Sequence, residues 1–208
     1  MTDLETIIFI IDDDDSVRKS LSRLLRVSGF NVETYESSEQ FLAREPYYGI
    51  GCIILDISMP GLSGMELHDE LIRVGYDLPI VFITGHGDIP MSVRAMKKGA
   101  VDFLLKPFDE EELLQAVGRA IEADRKAKSE QTERRRIMKL IEDLTPRERE
   151  VMPCILGGML NKQIAFTLGI SEKTVKIHRG RIMEKLGAHS VAELIHLAEK
   201  AGITPHTF

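Results

Sequence analysis

The chain has 208 residues, 43% of them hydrophobic, enough for one large domain or two modest ones with their own cores. Its 33 acidic and 27 basic residues give a formal net charge of −6, a whole-chain average that argues mildly against a nucleic-acid partner. Two cysteines, Cys52 and Cys154, cannot build a disulfide framework and point to a reducing compartment. The apolar run Ile7–Ile11 falls far short of the roughly 20 residues of a membrane span, and no basic-then-apolar start reads as a signal peptide. A cytoplasmic soluble protein with no membrane partner is the expectation.

The average hides two unlike halves. Residues 1–125 hold 12 Lys and Arg against 23 Asp and Glu, whereas residues 126–208 hold 15 against 10. An acidic front and a basic back imply separate jobs. Between them, Glu122–Arg136 has Ala123 and Ala127 as its only apolar residues and contains no Gly or Pro. It reads as a solvated helical connector, although a charged face of a helix packed elsewhere has the same composition.

In chain order, short apolar runs recur at Ile7–Ile11, Phe30–Thr34, Cys52–Ile57, Ile80–Thr84 and Val101–Leu105. They are near-continuous, as strands buried on both faces must be. Four helical stripes alternate with these runs. The first is Val17, Leu21, Leu24, Leu25 and Val27, ended by Gly29; the second is Leu67, Leu71, Ile72 and Val74, ended by Gly75. Met91, Val93, Ala95 and Met96 form a third, ended by Gly99, and Leu113, Leu114, Val117 and Ile121 a fourth. This alternation of βα units predicts a doubly wound parallel sheet. Such sheets bind ligands where the C-terminal ends of the strands open onto loops.

Those ends carry Asp12–Asp15 after the first run, Asp56 with Met59-Pro60-Gly61 after the third, Thr84-Gly85 after the fourth and Lys106-Pro107 after the fifth. Carboxylates held together repel, and a hard divalent cation neutralises them. Oxygen ligands without Cys or His favour Mg2+ or Mn2+ over zinc. A lysine at the same edge balances a transferred phosphoryl group, and a carboxylate can be the nucleophile that accepts it. Each residue alone has a plainer reading: Asp14 and Asp15 as helix caps, Asp56 as a turn residue, Thr84 and Lys106 as surface side chains. One such group at the end of each correct strand favours the chemical reading.

At Ile11-Asp12-Asp13, Leu55-Asp56 with Met59-Pro60-Gly61, Ile83-Thr84-Gly85 and Leu105-Lys106-Pro107-Phe108, the front half strongly resembles the receiver domain of bacterial two-component response regulators. The resemblance covers about residues 5–125. It implies a flavodoxin-like sheet of five parallel strands in the order 2-1-3-4-5. It also implies that Asp56 is the phosphoacceptor for a histidine-kinase phosphohistidine. Asp13 and Asp56 would ligate Mg2+ (or Mn2+ in its place) directly, with Asp12 acting mainly through water and the Ser58 carbonyl completing the set. Lys106, joined to Pro107 by a cis bond, would pair with the phosphoryl oxygens, and Thr84 would hydrogen-bond the phosphoryl group. Phe103 would be the switching aromatic, without the hydroxyl of the Tyr often found there. Phosphorylation would then reshape the face of helix four, strand five and helix five, and drive homodimerisation.

In the back half, Thr145 precedes Pro146, and Glu148 stands three residues after Thr145, a capping box with Pro in the first turn. Pro153 falls inside that helix, where it removes a hydrogen bond and predicts a kink. Asn161–Leu168 reads as a short helix, Gly169-Ile170 as a turn, and Ser171 as the cap of a helix running to Leu186 and stopped by Gly187. A last helix follows from about Ser190 to Lys200. Two helices joined by a Gly-containing turn predict a helix-turn-helix, with a plain four-helix core as the alternative.

On a helical wheel Val175, Ile182 and Leu186 make the buried stripe. Lys173, Lys176, Ile177 and Gly180 occupy the far side, and Thr174, Arg179, Arg181 and Lys185 flank it. Lysines reach phosphates or guanine edges, Ile177 suits a thymine methyl, and Gly180 admits close backbone approach. His178, like the other histidines, reads first as a surface or packing residue, and is also a candidate phosphate contact. Thr174-Val175-Lys176-Ile177-His178 through Lys185-Leu186, with Leu144–Val151, closely resembles the LuxR-type output domain.

Together the halves are similar to NarL/FixJ-type transcription factors, and Gly85-His86-Gly87-Asp88-Ile89-Pro90-Met91 is typical of the FixJ-like branch. The implied organisation is a receiver at 1–125, a helical linker at 126–143 and a LuxR-type helix-turn-helix domain at 144–208. The implied partners are a sensor histidine kinase, double-stranded promoter DNA, a second copy of the chain and RNA polymerase. The competing readings are a phosphorylation-independent DNA-binding regulator with a vestigial receiver, and an aspartyl-phosphate phosphatase. The second usually needs another acid where Ser58 stands. The six histidines, including His68, His189, His196 and His206, show no metal spacing. Met91, Met96, Met152 and Met159 read as core filler.

Overall fold

Strand β1 (Ile7–Ile11) shows how the first part of the chain is layered. Ile8 and Ile10 point into one core, while Phe9 and Ile11 point into another on the opposite face of the sheet. Period-2 alternation makes this unavoidable in a strand with apolar residues throughout. The computed structural model describes residues 6–85 and 89–203, so the expectations placed on His86, Gly87, Asp88 and His206 lie outside the described residues. The chain divides into two units, residues 1–128 and 129–208.

In the first unit β2 (Asn31–Tyr35), β3 (Gly51–Asp56), β4 (Ile80–Thr84) and β5 (Asp102–Leu105) join β1 in a parallel sheet of order β2-β1-β3-β4-β5. This is the doubly wound sheet expected from the alternation. Helix α1 (Asp15–Val27) and the start of α5 (Glu110–Glu142) cover one face through Leu21, Leu25, Leu113 and Val117. Helices α2 (Ser38–Leu42), α3 (Gly64–Arg73) and α4 (Ile89–Lys97) cover the other through Phe41, Leu67, Leu71 and Ala95.

The expected helical stripes are broader than the faces that are buried. Val27 is 83% exposed, Ile72 and Val74 are more than half exposed, and Val93 and Met96 nearly half. Four of them lie one or two residues, hence 100° or 200°, from a side chain that meets the sheet: Val27 from Leu25, Ile72 from Leu71, Val93 and Met96 from Ala95; Val74 is the cap residue beyond the end of α3. Met96 is therefore not core filler. Helix α2 was not anticipated: its five residues are too few to show a period.

The charged stretch 122–136 is helical, being part of the 33-residue α5. Asp124 is buried there and accepts the Gly51 N–H at 2.9 Å. Lys128 donates to Asp124 at 2.6 Å and to the Gly49 carbonyl, tying α5 to the start of β3.

The second unit begins in the last turns of α5, whose Ile137 and Ile141 enter its core. Helices α6 (Pro146–Leu156), α7 (Asn161–Leu168), α8 (Glu172–Leu186) and α9 (Val191–Lys200) complete it. The capping box of Thr145 and Glu148 forms, with Pro146 in the first turn, and α6 runs on through Pro153 to Leu156. Between α7 and α8 Gly169 takes φ 65°, and Ser171 caps α8 by accepting the Thr174 N–H.

Glu148 is 1% exposed. It accepts the Thr145 N–H at 2.9 Å and the Lys185 ammonium at 2.7 Å, while Lys185 also donates to the Asp143 carbonyl at 3.0 Å. Burial pushes the Glu148 carboxyl upward, but Lys185 and the Thr145 cap outweigh it and hold the group below the usual carboxylate range.

Two measurements follow from this packing. A Cβ on Gly64 would lie 2.2 Å from the Asp56 carbonyl oxygen, so Gly64→Ala should destabilise the first unit by about 1–3 kcal/mol in urea unfolding. A carboxyl whose folded pKa is depressed gives its full stabilisation above the ordinary range and loses it as pH falls through the depressed value. The second unit should therefore weaken on acidification, and Glu148→Gln should lower its urea midpoint at neutral pH while flattening the acid limb.

Candidate metal centre and nucleic-acid interface

Parallel register brings the expected residues to one sheet edge. Ile11 pairs with Leu55, Asp56 with Ile83, and Thr84 with Leu105. Asp12, Asp13, Asp56, Thr84 and Lys106 thus leave their strands at the same level. Asp12 is fully buried, Asp56 is 6% exposed and Asp13 is open to solvent. One carboxylate oxygen from each of the three lies within 4.8 Å of the others.

At such separations each like-charged pair repels by roughly 3–4 kcal/mol in a half-screened site. The Lys106 ammonium offsets part of this by donating to Asp12 Oδ2 at 2.6 Å and to Asp56 Oδ2 at 2.9 Å. Burial pushes the Asp12 carboxyl up against the pull of Lys106. At Lys106 burial acts the other way and is outweighed by bonds to two carboxylates, which hold the ammonium above its usual value. Three carboxylates facing one lysine leave negative charge in excess, and an all-oxygen donor set of this size suits a small, hard divalent cation.

The Ser58 N–H donates to Asp56 Oδ1 at 3.2 Å, and the Ser58 and Thr84 hydroxyls lie 3.5 Å apart. The Lys106-Pro107 bond is cis. Phe103 is half-buried, paired in register with Phe82 and packed against the core shared with α3 and α4. Cys52 is buried and its thiol is pushed up to about 12 by burial and the nearby Asp124, which leaves it inert.

The sequence reading missed Arg18. It donates to the Asp12 carbonyl at 2.6 Å and to Asp15 Oδ1 at 3.3 Å. The available signal was its place three residues after Asp15, one turn into the helix that follows the acidic loop.

On α8, Val175, Ile182 and Leu186 are buried as the wheel requires. Lys173, Lys176, Ile177, Gly180 and Arg181 are exposed, and a Cβ on Gly180 would meet nothing within 4 Å among the described residues beyond its neighbours and its own helix backbone. Thr174 is half-buried, its hydroxyl 2.8 Å from that of Ser171. His178 is half-buried, with Nδ1 enclosed and without a hydrogen-bond partner among the described residues. Arg179 donates to the Asn161 carboxamide at 3.1 Å, tying α8 to α7. Lys185 does not join the outer face, because its ammonium neutralises the buried Glu148.

Residues 8–118 match the family model for the response regulator receiver domain, and residues 142–198 that for bacterial regulatory proteins of the luxR family. Nodulation protein W of Bradyrhizobium diazoefficiens is 47% identical over 200 residues, covering 96% of this chain and 88% of that protein. Transcriptional regulatory protein FixJ of Azorhizobium caulinodans is 42% identical over 198 residues, covering 95% and 94% respectively. The solved structure of response regulator StyR matches with a TM-score of 0.81 and 47% identity, over 94% of this chain and 99% of that one. With both family matches falling on the sheet edge and the helices just described, the chain belongs to the response regulators that carry a LuxR-type DNA-binding domain.

Proposed function

We propose that the chain is a phosphorylation-controlled transcription factor of the cytoplasm, with a receiver at 1–125, a linker at 126–143 and an output domain at 144–208. The observation that carries this reading is the Lys106 ammonium bonded to both Asp12 and Asp56, with Asp13 at the same edge. Asp56 is the acceptor. One of its oxygens attacks the phosphorus of a kinase phosphohistidine, a P–O bond forms, the P–N bond breaks, and the imidazole nitrogen keeps the electron pair.

Asp13, Asp56 and the Ser58 carbonyl would hold Mg2+, or Mn2+ as a substitute, with Asp12 acting through water. When bound, the cation supplies charge neutralisation for the attacking carboxylate and the phosphoryl oxygens. Lys106 exchanges its carboxylate partners for phosphoryl oxygens, and Thr84 donates its hydroxyl to the same group. Phe103, beside Phe82 in the sheet, carries the rearrangement outward. Val93, Met96 and Leu105 are about half exposed on α4 and β5, an apolar surface suited to a homodimer. Lys173, Lys176, Ile177, Gly180 and Arg181 face promoter DNA, while Arg179 and Lys185 brace the helix that presents them. RNA polymerase is the partner that a DNA-bound regulator then meets.

With acetyl phosphate and Mg2+, the wild type should accumulate a phosphoprotein that Asp56→Asn does not form. Wild type with beryllofluoride and Mg2+ should sediment as a dimer. DNA affinity that is equal in phosphorylated wild type and Asp56→Asn would favour the vestigial-receiver reading, and rapid multiple turnover the phosphatase. Gly180→Ala should stabilise α8 by roughly 0.5–1 kcal/mol yet weaken promoter binding, read together by thermal unfolding and a DNA titration. Unchanged affinity would remove Gly180 from the interface.

A further inference from the structure

We propose that Arg18 is a positioning residue that sets how tightly the Asp12, Asp13 and Asp56 cluster takes a divalent cation, a role that rests on the Mg2+ reading above. Its side chain is 13% exposed although it lies near the start of α1. One guanidinium nitrogen donates to the Asp12 carbonyl at 2.6 Å, the other to Asp15 Oδ1 at 3.3 Å. Neither bond uses a carboxylate of the cluster.

The Asp12 carbonyl belongs to the peptide plane that joins Asp12 to Asp13, so fixing that oxygen fixes the plane from which the exposed Asp13 side chain departs. Asp12 has three further anchors. Its N–H donates to the Tyr35 carbonyl at 3.2 Å, its Oδ1 accepts the Asp14 N–H at 2.8 Å, and its Oδ2 accepts from Lys106. The Lys106 bond is the one surrendered when Lys106 turns to the phosphoryl group. The Arg18 bond is then the remaining charged anchor.

Charge alone predicts the opposite effect from positioning. A guanidinium near a dication repels it, so its removal would tighten binding, and the gain would fade with salt. Asp15 already offsets that charge at 3.3 Å. Positioning predicts weaker binding that salt does not restore.

The chain has no Trp, so Mg2+ binding is best followed through the amide resonances of Asp13 and of Asp56 to Ser58 in the full chain, at about 0.1 and about 0.5 M KCl, where the Debye length is roughly 10 and 4 Å. Arg18→Met should raise the apparent Kd about tenfold at both salts, with the cation-free urea midpoint unchanged. Arg18→Lys keeps the charge, but its ammonium ends one atom short of the Arg18 Nη and has no second arm for Asp15, so its Kd should fall between those of wild type and Arg18→Met. Unchanged or tighter binding in Arg18→Met overturns the role, as does a loss matched by a lowered urea midpoint. Should Arg18→Met not fold, an Arg18→Lys Kd unchanged from wild type overturns it equally. A wild type that shows no Mg2+ response overturns both this role and the reading beneath it, whereas a wild-type response with an unaffected Arg18→Met overturns the role alone.

Discussion

Repulsion among Asp12, Asp13 and Asp56, with oxygens within 4.8 Å of one another, is the constraint around which the first unit is arranged. Isolated carboxylates would relax apart, and here two strands deny them that freedom. Asp12 and Asp13 follow β1, Asp56 closes β3, and both strands are locked by pairing on each side. Lys106 arrives from β5, two strands away from β3, and bridges the two buried acids. The parallel sheet is what makes such a gathering affordable: each strand ends at the same edge, so groups remote in sequence meet without long loops.

The second unit meets the same electrostatic difficulty with the opposite outcome. Glu148 is a buried carboxylate held by Lys185 and by the Thr145 cap, and leaving either partner out would strand a charge in the core. That demand takes a lysine away from the outer face of α8. The exposed basic surface of α8 is correspondingly narrower than a count of positive residues implies, and it centres on Lys173, Lys176 and Arg181. Arg179, pinned to Asn161, likewise serves the angle between the two helices.

Much of this was legible in the sequence because the signals were local. Runs of Ile, Val and Leu marked the strands, Gly29, Gly75, Gly99 and Gly187 marked helix ends, and the Thr145-Pro146 start with Glu148 marked a capped helix. The sheet edge was legible too, since a residue directly after a strand lies at its end whatever the loops do. What escaped depended on long or sideways contacts. Helix α2 is too short to show a period, and the exposure of Val27 and Ile72 turns on which side of a helix the sheet lies. The Lys185–Glu148 pair joins residues 37 apart, and no spacing rule announces it. Arg18 reached the site backward, to a carbonyl, which composition never reveals.

The bonds at the start of β3 give that strand a double attachment. All six of its residues are buried; Asp56 closes it at one end, and Gly51 at the other is held by Asp124, whose partner Lys128 also grips Gly49. A strand fixed at both ends and covered on both faces has no free margin in which a substitution can be absorbed. A substitution within it therefore strains the sheet edge or the contact with α5. Its amides should accordingly be among the last to exchange with solvent.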